Sequence, residues 1–369
     1  MKQRAMESWI RLNLIPGLGP VRIRQLLEYF STPQRILSAS REELEAVPHF
    51  GPALAETVVK EKERVKVDEE LKKISAYGVN ILTIGDKSYP KNLKEIYAPP
   101  PVLYVKGEIL PEDFISVAVV GTRRCTAYGR TVSEKLSREL ASRGITVVSG
   151  LARGIDTSAH LGALKGGGRT IAVLGTGIDI CFPRENRELF DEIARRGAVV
   201  SEFPFSTGPE KGNFPRRNRC ISGFSLGVVV VEAPERSGAL ITANLALEQG
   251  REVFAVPGNI FSSRSRGTHS LIQEGAKLVH RVEDIVDELK IWSEAMPLSP
   301  APISGRVTIS KEEQAVYEQL THEPVHIDIL CQETRLPIHQ LSRIMSSLEM
   351  KGAAVQIGQK LFIKGVQSG

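Results

Sequence analysis

Three guanidinium groups crowd one short stretch, Phe214-Pro215-Arg216-Arg217-Asn218-Arg219, just beyond Lys211. Pro215 suits the first turn of a helix. The backbone amides of that turn already carry partial positive charge, so basic side chains there oppose the helix dipole. An outside anion would relieve the conflict, and phosphate is the natural one. Phe214 adds a flat apolar face on which a nucleobase could stack. The alternative is internal: arginines paired with distant acids and a phenylalanine in the core.

These residues need a scaffold that gathers phosphate-binding loops. Between residues 114 and 290, apolar runs alternate with helical stretches. The runs are Val117–Val120, Ile145–Val148, Thr170–Leu174, Ala198–Val200, Val228–Val231, Glu252–Val256 and Lys277–Val279. Continuous apolar strands separated by helices predict a parallel sheet covered on both faces, an α/β, Rossmann-like domain. Ligands of such sheets bind beyond the carboxyl ends of the strands. Four loops fall there: Gly121-Thr122-Arg123-Arg124, Ser149-Gly150-Leu151-Ala152-Arg153-Gly154, Gly175-Thr176-Gly177 and Glu232 to Ala239, which contains Ser237 and Gly238. Thr242 follows in the next helix. Glycines let backbone amides approach phosphate, and hydroxyls add donors. Together with Lys211, Phe214, Arg216, Arg217, Asn218 and Arg219, these loops predict a polyanion site.

Other chemistries fit less well. No G-x-x-x-x-G-K-[ST] occurs and the dipeptide Gly-Lys is absent, which argues against a P-loop nucleotidase. Gly175-Thr176-Gly177 lacks the third glycine of a dinucleotide fingerprint. Asp156, Asp179, Glu202, Glu232 and Glu248 show no diagnostic pairing; Asp156 reads as a loop anchor and His160 as a helix-face residue. His322-Glu323-Pro324-Val325-His326 carries the letters of a zinc motif, but Pro324 disfavours the helix that the motif needs and instead opens one containing His326. Neither a metal nor a cofactor is expected. The four cysteines, Cys125, Cys181, Cys220 and Cys331, form no C-x-x-C pair and read as thiols of a reducing compartment. No apolar run reaches the ~18 residues of a membrane span, and no signal-type stretch follows Met1. A cytoplasmic protein without membrane insertion is expected. The net charge of +5 permits an acidic polymer as partner.

Four segments are predicted. Residues 1–75 are helical and hold a short repeat: Ile15-Pro16-Gly17-Leu18-Gly19-Pro20 and Val47-Pro48-His49-Phe50-Gly51-Pro52 each precede a helical pattern. Each resembles the turn and second helix of a helix-hairpin-helix unit, with His49 where the first copy has glycine. Such a unit can hold a DNA phosphate or serve as a protein contact; the alternative is a plain helical hairpin packed on the main domain. Residues 61–73 read as a charged helix that serves as a connector. Residues 76–290 form the extended Rossmann-like domain, 291–308 a proline-rich linker, and 309–369 a winged helix with helices at 311–320, 325–332 and 337–351 before two strands. Its third helix has Arg343 and Lys351 as its strong bases, a poor recognition helix for duplex.

The motifs Ala118-Val119-Val120-Gly121-Thr122-Arg123, Val148-Ser149-Gly150-Leu151-Ala152-Arg153-Gly154-Ile155-Asp156, Gly175-Thr176-Gly177, Phe214-Pro215-Arg216-Arg217-Asn218-Arg219, Ser237-Gly238-Ala239-Leu240-Ile241-Thr242-Ala243 and Val256-Pro257-Gly258-Asn259 resemble those of the DNA-processing protein A family, also called DprA or Smf. Both end domains resemble common additions in that family. The resemblance implies a bacterial cytoplasmic homodimer that binds single-stranded DNA, protects incoming DNA and loads the RecA recombinase in natural transformation. It implies further contacts with other DNA-uptake or single-strand-binding proteins, and no catalytic turnover. It places Arg123 and Lys211 on phosphate-contacting positions and Phe214 on a base-stacking one. Thr122 departs from the serine often found there and keeps the hydroxyl. A second family, the nucleotide phosphoribohydrolases that act on cytokinin precursors, has a similar domain. Its glycine-glycine-x-glycine-threonine loop is missing from Arg236-Ser237-Gly238-Ala239-Leu240-Ile241-Thr242, and Glu248 stands near the end of the helix that follows.

Overall fold

The computed structural model describes residues 2–291, 310–320, 325–334, 336–351, 353–358 and 361–364. The proline-rich stretch with Pro297, Pro300 and Pro302, and His322, Glu323 and Pro324, lie outside the described residues. Residues up to Ile291 form one compact unit and those from Trp292 a second.

The first unit is built on a nine-stranded sheet. Its strands are β1 (Asn80–Thr83), β2 (Val102–Gly107), β3 (Ser116–Val120), β4 (Thr146–Ser149), β5 (Thr170–Val173), β6 (Ala198–Ser201), β7 (Gly227–Val230), β8 (Glu252–Ala255) and β9 (Lys277–Leu278). Their order is β1-β2-β6-β5-β4-β3-β7-β8-β9. From β6 to β9 every pairing is parallel, while β1 and β2 add an antiparallel margin. The strands are short and apolar because both faces are covered. Val117 and Val119 pack with Leu136, Leu140, Ile155 and Phe254 on one face, and Ala118 and Val120 pack with Ile221, Phe224, Val228 and Ala243 on the other. This period-two division follows from the pleat.

Six helices precede the sheet, among them Lys2–Leu14, Pro20–Phe30, Arg41–Glu45 and Pro52–Glu61. They form the two helix-hairpin-helix turns. Gly17 takes φ +78° in the first turn, and His49 takes φ +61° in the second. Both copies therefore use the same left-handed backbone step, which glycine adopts without strain and histidine tolerates. Pro20 and Pro52 open the following helices, with Gly19 and Gly51 as N-caps.

The charged stretch at 61–73 is not a solvated connector. The helix Pro52–Glu61 ends, the chain turns, and Val67–Tyr77 forms a new helix packed on the sheet margin. Glu70 is buried there and accepts a hydrogen bond from the amide of Phe205 at 2.9 Å; burial raises its pKa above the ordinary carboxylate value. Tyr77 and Tyr104 both meet Phe205 edge-on, with ring centroids 5.4 and 5.8 Å away. Val102, Tyr104, Phe190, Val199 and Phe205 share one apolar core with Trp9, Ile10, Leu12, Leu26 and Leu44 of the helical layer.

The second unit contains helices Lys311–Tyr317, Ile327–Thr334 and Ile338–Met350, and strands β10 (Val325–His326), β11 (Ala354–Gly358) and β12 (Leu361–Lys364) in the order β10-β12-β11. This is a winged helix. The expectation that Pro324 opens a helix containing His326 is corrected: Val325 and His326 pair with Phe362 and Leu361 as a strand. The His326 ring then caps the next helix by accepting from the Asp328 amide at 3.3 Å. Glu313 fastens the unit. It accepts from the Ser310 amide at 2.7 Å, from Ser347 at 2.6 Å and from Lys351 at 2.6 and 2.7 Å. Lys351 is thus engaged internally, which leaves the third helix still less basic toward a ligand.

Candidate nucleic-acid interface

The chain winds one way from β3 through β4 and β5 to β6, and the other way from β7 to β9. Neighbours β3 and β7 therefore mark the topological switch point, where their outgoing loops part. A cleft of 390 Å³ opens there, lined by Thr122, Arg123, Phe214, Arg236, Ser237 and Ile241 among others. Its back wall is tied by main chain: the Thr122 amide donates to the Glu232 carbonyl at 2.7 Å. The buried Glu232 carboxylate accepts from the amide and hydroxyl of Thr126, at 2.8 and 2.5 Å. Gly121 permits this closeness, since a Cβ there would lie 2.5 Å from Ile155.

Phe214 lies in the first turn of the helix Asn213–Phe224, at the cleft mouth and partly exposed. The Arg123 guanidinium carbon stands 5.1 Å from the centre of its ring, a cation–π distance. Phe182 stands 5.8 Å away at an interplanar angle of 41°. Gly175 supports the ring from below, because a Cβ on Gly175 would approach it to 2.8 Å. Arg123, Arg124 and Lys211 are exposed. Among the described residues, the Arg123 and Lys211 side chains have no hydrogen-bond or ion-pair partner.

Three residues of the hexad, Arg217, Asn218 and Arg219, are turned inward, which corrects the inference that all three arginines await an outside anion. Arg217 is 5% exposed and donates to the carbonyls of Gly150, at 2.7 Å, and Val173. Burial drives its pKa down to about 10, so it stays charged at neutral pH, with buried Asp156 as the attracting group. Arg219 pairs with buried Glu202 and donates to the Ala98 carbonyl. Arg216 keeps an exposed face but leans on Glu202 at 3.3 Å and on the Phe203 ring. Asn218 is buried and donates to the Gly238 carbonyl at 3.3 Å. The charge conflict at the helix start is thus resolved largely by Glu202, Asp156 and strand-end carbonyls.

The hydroxyls divide in the same way. Ser149, Thr176 and Thr242 are buried and donate to the carbonyls of Val119, Ile180 and Gly238, so they brace loops and are not the free donors expected. Thr122 and Ser237 instead accept from the amides of Arg124 and Ala239 and keep their own protons for a ligand. Gly150 and Gly177 also serve closeness: added Cβ atoms would meet the Arg217 guanidinium and the Pro204 carbonyl at 2.6 Å. Gly238 opens its helix with space around it. Arg153 is exposed but pairs with Glu185. Asp156 anchors the loop after β4 as expected, accepting from the amides of Gly150 and Ala152 at 3.1 and 3.3 Å. His160 is buried against the Thr170 hydroxyl, and its pKa falls to about 3, chiefly through burial.

Phe182 and Ile241 stand outside the predicted site residues: Ile241 lines the cleft, and Phe182 lines a smaller adjoining pocket with Arg123 and Phe214, while Arg236 enters the cleft from the loop already singled out. Phe182 carried a usable signal, an aromatic five residues after Gly177. Glu248 closes the helix Gly238–Glu248 whose opposite end lines the cleft. That puts it about 15 Å from the cleft end of the helix, too far to serve as a catalytic acid there.

The sequence profile described as DNA recombination-mediator protein A matches residues 80–290. A DprA winged helix domain profile matches 296–359, and a SAM-like helix-hairpin-helix tandem profile matches 10–63. Protein Smf of Synechocystis is 40% identical over 275 residues, covering 73% of this chain and 69% of the relative. The solved structure of DNA processing protein A from Streptococcus pneumoniae is 38% identical with a TM-score of 0.69, over 76% of this chain and 97% of that one. A structure of DNA processing protein A from Helicobacter pylori, solved to describe its single-stranded DNA binding mode, is 30% identical with a TM-score of 0.52, over 58% of this chain and 97% of that one.

Proposed function

The chain belongs to the DNA recombination-mediator protein A family, and on that premise we propose that it binds single-stranded DNA across the switch-point cleft. One observation carries this reading: the Arg123 guanidinium and the Phe214 ring face each other at the cleft mouth, 5.1 Å apart, with charge and aromatic surface both open to a ligand. In this reading Arg123 and Lys211 hold phosphates, and Thr122 and Ser237 add hydroxyl donors. The amides of Gly121, Gly175 and Gly238 approach the backbone, Phe214 stacks on a base, and Phe182 extends its face. Arg124, Arg153 and Arg216 add field at the rim. Gly150, Gly177, Ser149, Thr176, Arg217, Asn218, Arg219 and Thr242 act by positioning.

Stacking demands unpaired bases, which favours single strands over duplex. The larger role follows from the family: shielding incoming single strands and passing them, as a homodimer, to the RecA recombinase during transformation or another recombination step. The protein acts by binding, not turnover. The helix-hairpin-helix turns add a phosphate contact or a protein contact.

The test is a titration with single- and double-stranded DNA over a salt series. Preference for single strands and a steep fall of affinity with salt are expected. Equal affinity for both forms with a flat salt dependence would overturn the reading. Incubation with nucleoside monophosphates, with no release of free base, separates it from a phosphoribohydrolase.

A further inference from the structure

The Asn259–Arg264 loop follows β8 and carries the most exposed large apolar side chain among the described residues: Phe261 is 90% exposed, and Ile260 beside it 75%. The loop is built to present them. The Phe261 amide donates to the Asn259 side chain at 2.8 Å, the Ser262 amide to the Asn259 carbonyl at 2.9 Å, and the Ser265 amide to the Ser262 carbonyl at 3.1 Å. It is also fastened to the switch-point loops. Arg264 Nε donates to the Arg124 carbonyl at 2.6 Å, the Tyr128 hydroxyl to the Pro257 carbonyl at 2.8 Å, and the Gly267 amide to the Ala233 carbonyl at 2.8 Å. Its surroundings are basic: Arg124, Arg130, Arg236 and Arg266 are exposed nearby in the chain or the bonded loops. The acid among them, Glu235, lies 3.6 Å from Arg266.

We propose that Phe261 is a second base-stacking station for single-stranded nucleic acid, on the far side of the cleft from Phe214. This rests on the single-strand reading and extends its footprint. Phe214 sits against Gly175, beyond β5, and Phe261 stands beyond β8, four strand positions along the same carboxyl edge. At about 4.8 Å per position the separation of those strand ends is roughly 19 Å. A strand of a few nucleotides bridges it, passing Arg123, Arg124 and Arg236 on the way. The polar neighbours Asn259, Ser262, Ser263 and Arg264 leave an isolated ring and isoleucine in place of a broad apolar patch. A single ring amid arginines suits a base on a phosphate chain better than it suits a protein surface.

The experiment compares full-length wild type, Phe261→Ala and Phe261→Trp on oligothymidylates of about 4 and about 16 nucleotides, the range of common single-strand site sizes. Phe261→Ala is expected to melt like wild type and to bind the longer strand about tenfold more weakly, with the shorter unchanged. The tryptophan of Phe261→Trp is expected to be quenched by the longer strand. Unchanged affinity of Phe261→Ala for both lengths, in a background where wild type binds, overturns the second station alone. Failure of wild type to bind either length overturns the parent reading as well. Unchanged DNA binding with a shift of Phe261→Ala in oligomeric state makes the loop a self-association contact and overturns the proposal.

Discussion

Arg123 and Phe214 meet at one point but contribute separable quantities. A phosphate contact carries a counterion term and a stacked base does not. Arg123→Ala and Lys211→Ala should each lower single-strand affinity and reduce the salt slope by about one. Phe214→Ala should lower affinity by about 1–3 kcal/mol with the slope unchanged. All three should melt near the wild-type temperature, since none of these side chains is buried. Titration over a salt series with a parallel thermal melt checks them, and a Phe214→Ala protein that unfolds would mark the ring as core. Arg217→Met should behave in the opposite way. It strips the Gly150 and Val173 carbonyls of their donor and leaves Asp156 without its attracting charge. A loss of more than about 3 kcal/mol of folding stability is expected, visible in chemical denaturation. From the sequence, these arginines looked alike. What separates them lies far along the chain, at Ala98, Gly150, Val173 and Glu202, and adjacent residue types cannot reveal it.

Among the elements, the valine-rich strands and the helices between them were legible because burial on both faces fills the central strands mainly with apolar side chains and admits only short hydroxyls that find hydrogen-bond partners, such as Ser149 and Thr170. Two segments were not. In 61–73 the charges hide a buried Glu70, which a bond from the Phe205 backbone rewards. At Val325–His326 the pairing partner lies downstream at Leu361–Phe362, so the helical reading won locally. The winged helix also offers a pH test. Lys351, Ser347 and the Ser310 amide hold the Glu313 carboxyl down to about 2. Its unfolded value is near 4.5. A carboxylate depressed on folding contributes stability that is complete above the unfolded pKa and is lost as pH falls through the folded one. Hydrogen-exchange protection of residues 310–320 and 336–351 in the full chain should therefore fall between about pH 4.5 and about pH 2. Glu313→Gln should show lower protection at neutral pH and a flatter acid response.

At the scale of the whole molecule, the first unit closes on itself. Ile291, its last residue, is buried with Val117, Phe254 and Val286. A chain ending at Pro297 should keep the melting transition of that unit and its full single-strand affinity, because the cleft draws every lining residue from positions 120–242. Thermal melting and titration beside the full-length protein check this. A large affinity loss in a well-folded truncation would move the main site to the winged helix. The second unit was readable as a winged helix from its order of elements. What it recognises was not, since its third helix shows no basic face.

The apolar seam between the helical layer and the sheet margin bears on how such a chain can be inherited. Tyr104 and Val199 belong to the sheet and Phe205 to the segment that follows β6, yet their cover comes from Trp9, Leu12 and Leu44. A lineage that discarded the first 75 residues would bare that margin to water, and would have to rewrite it with polar side chains in the same stretch of evolution. The amino-terminal helices of this sequence are therefore not freely exchangeable cargo: they and the sheet edge must change together.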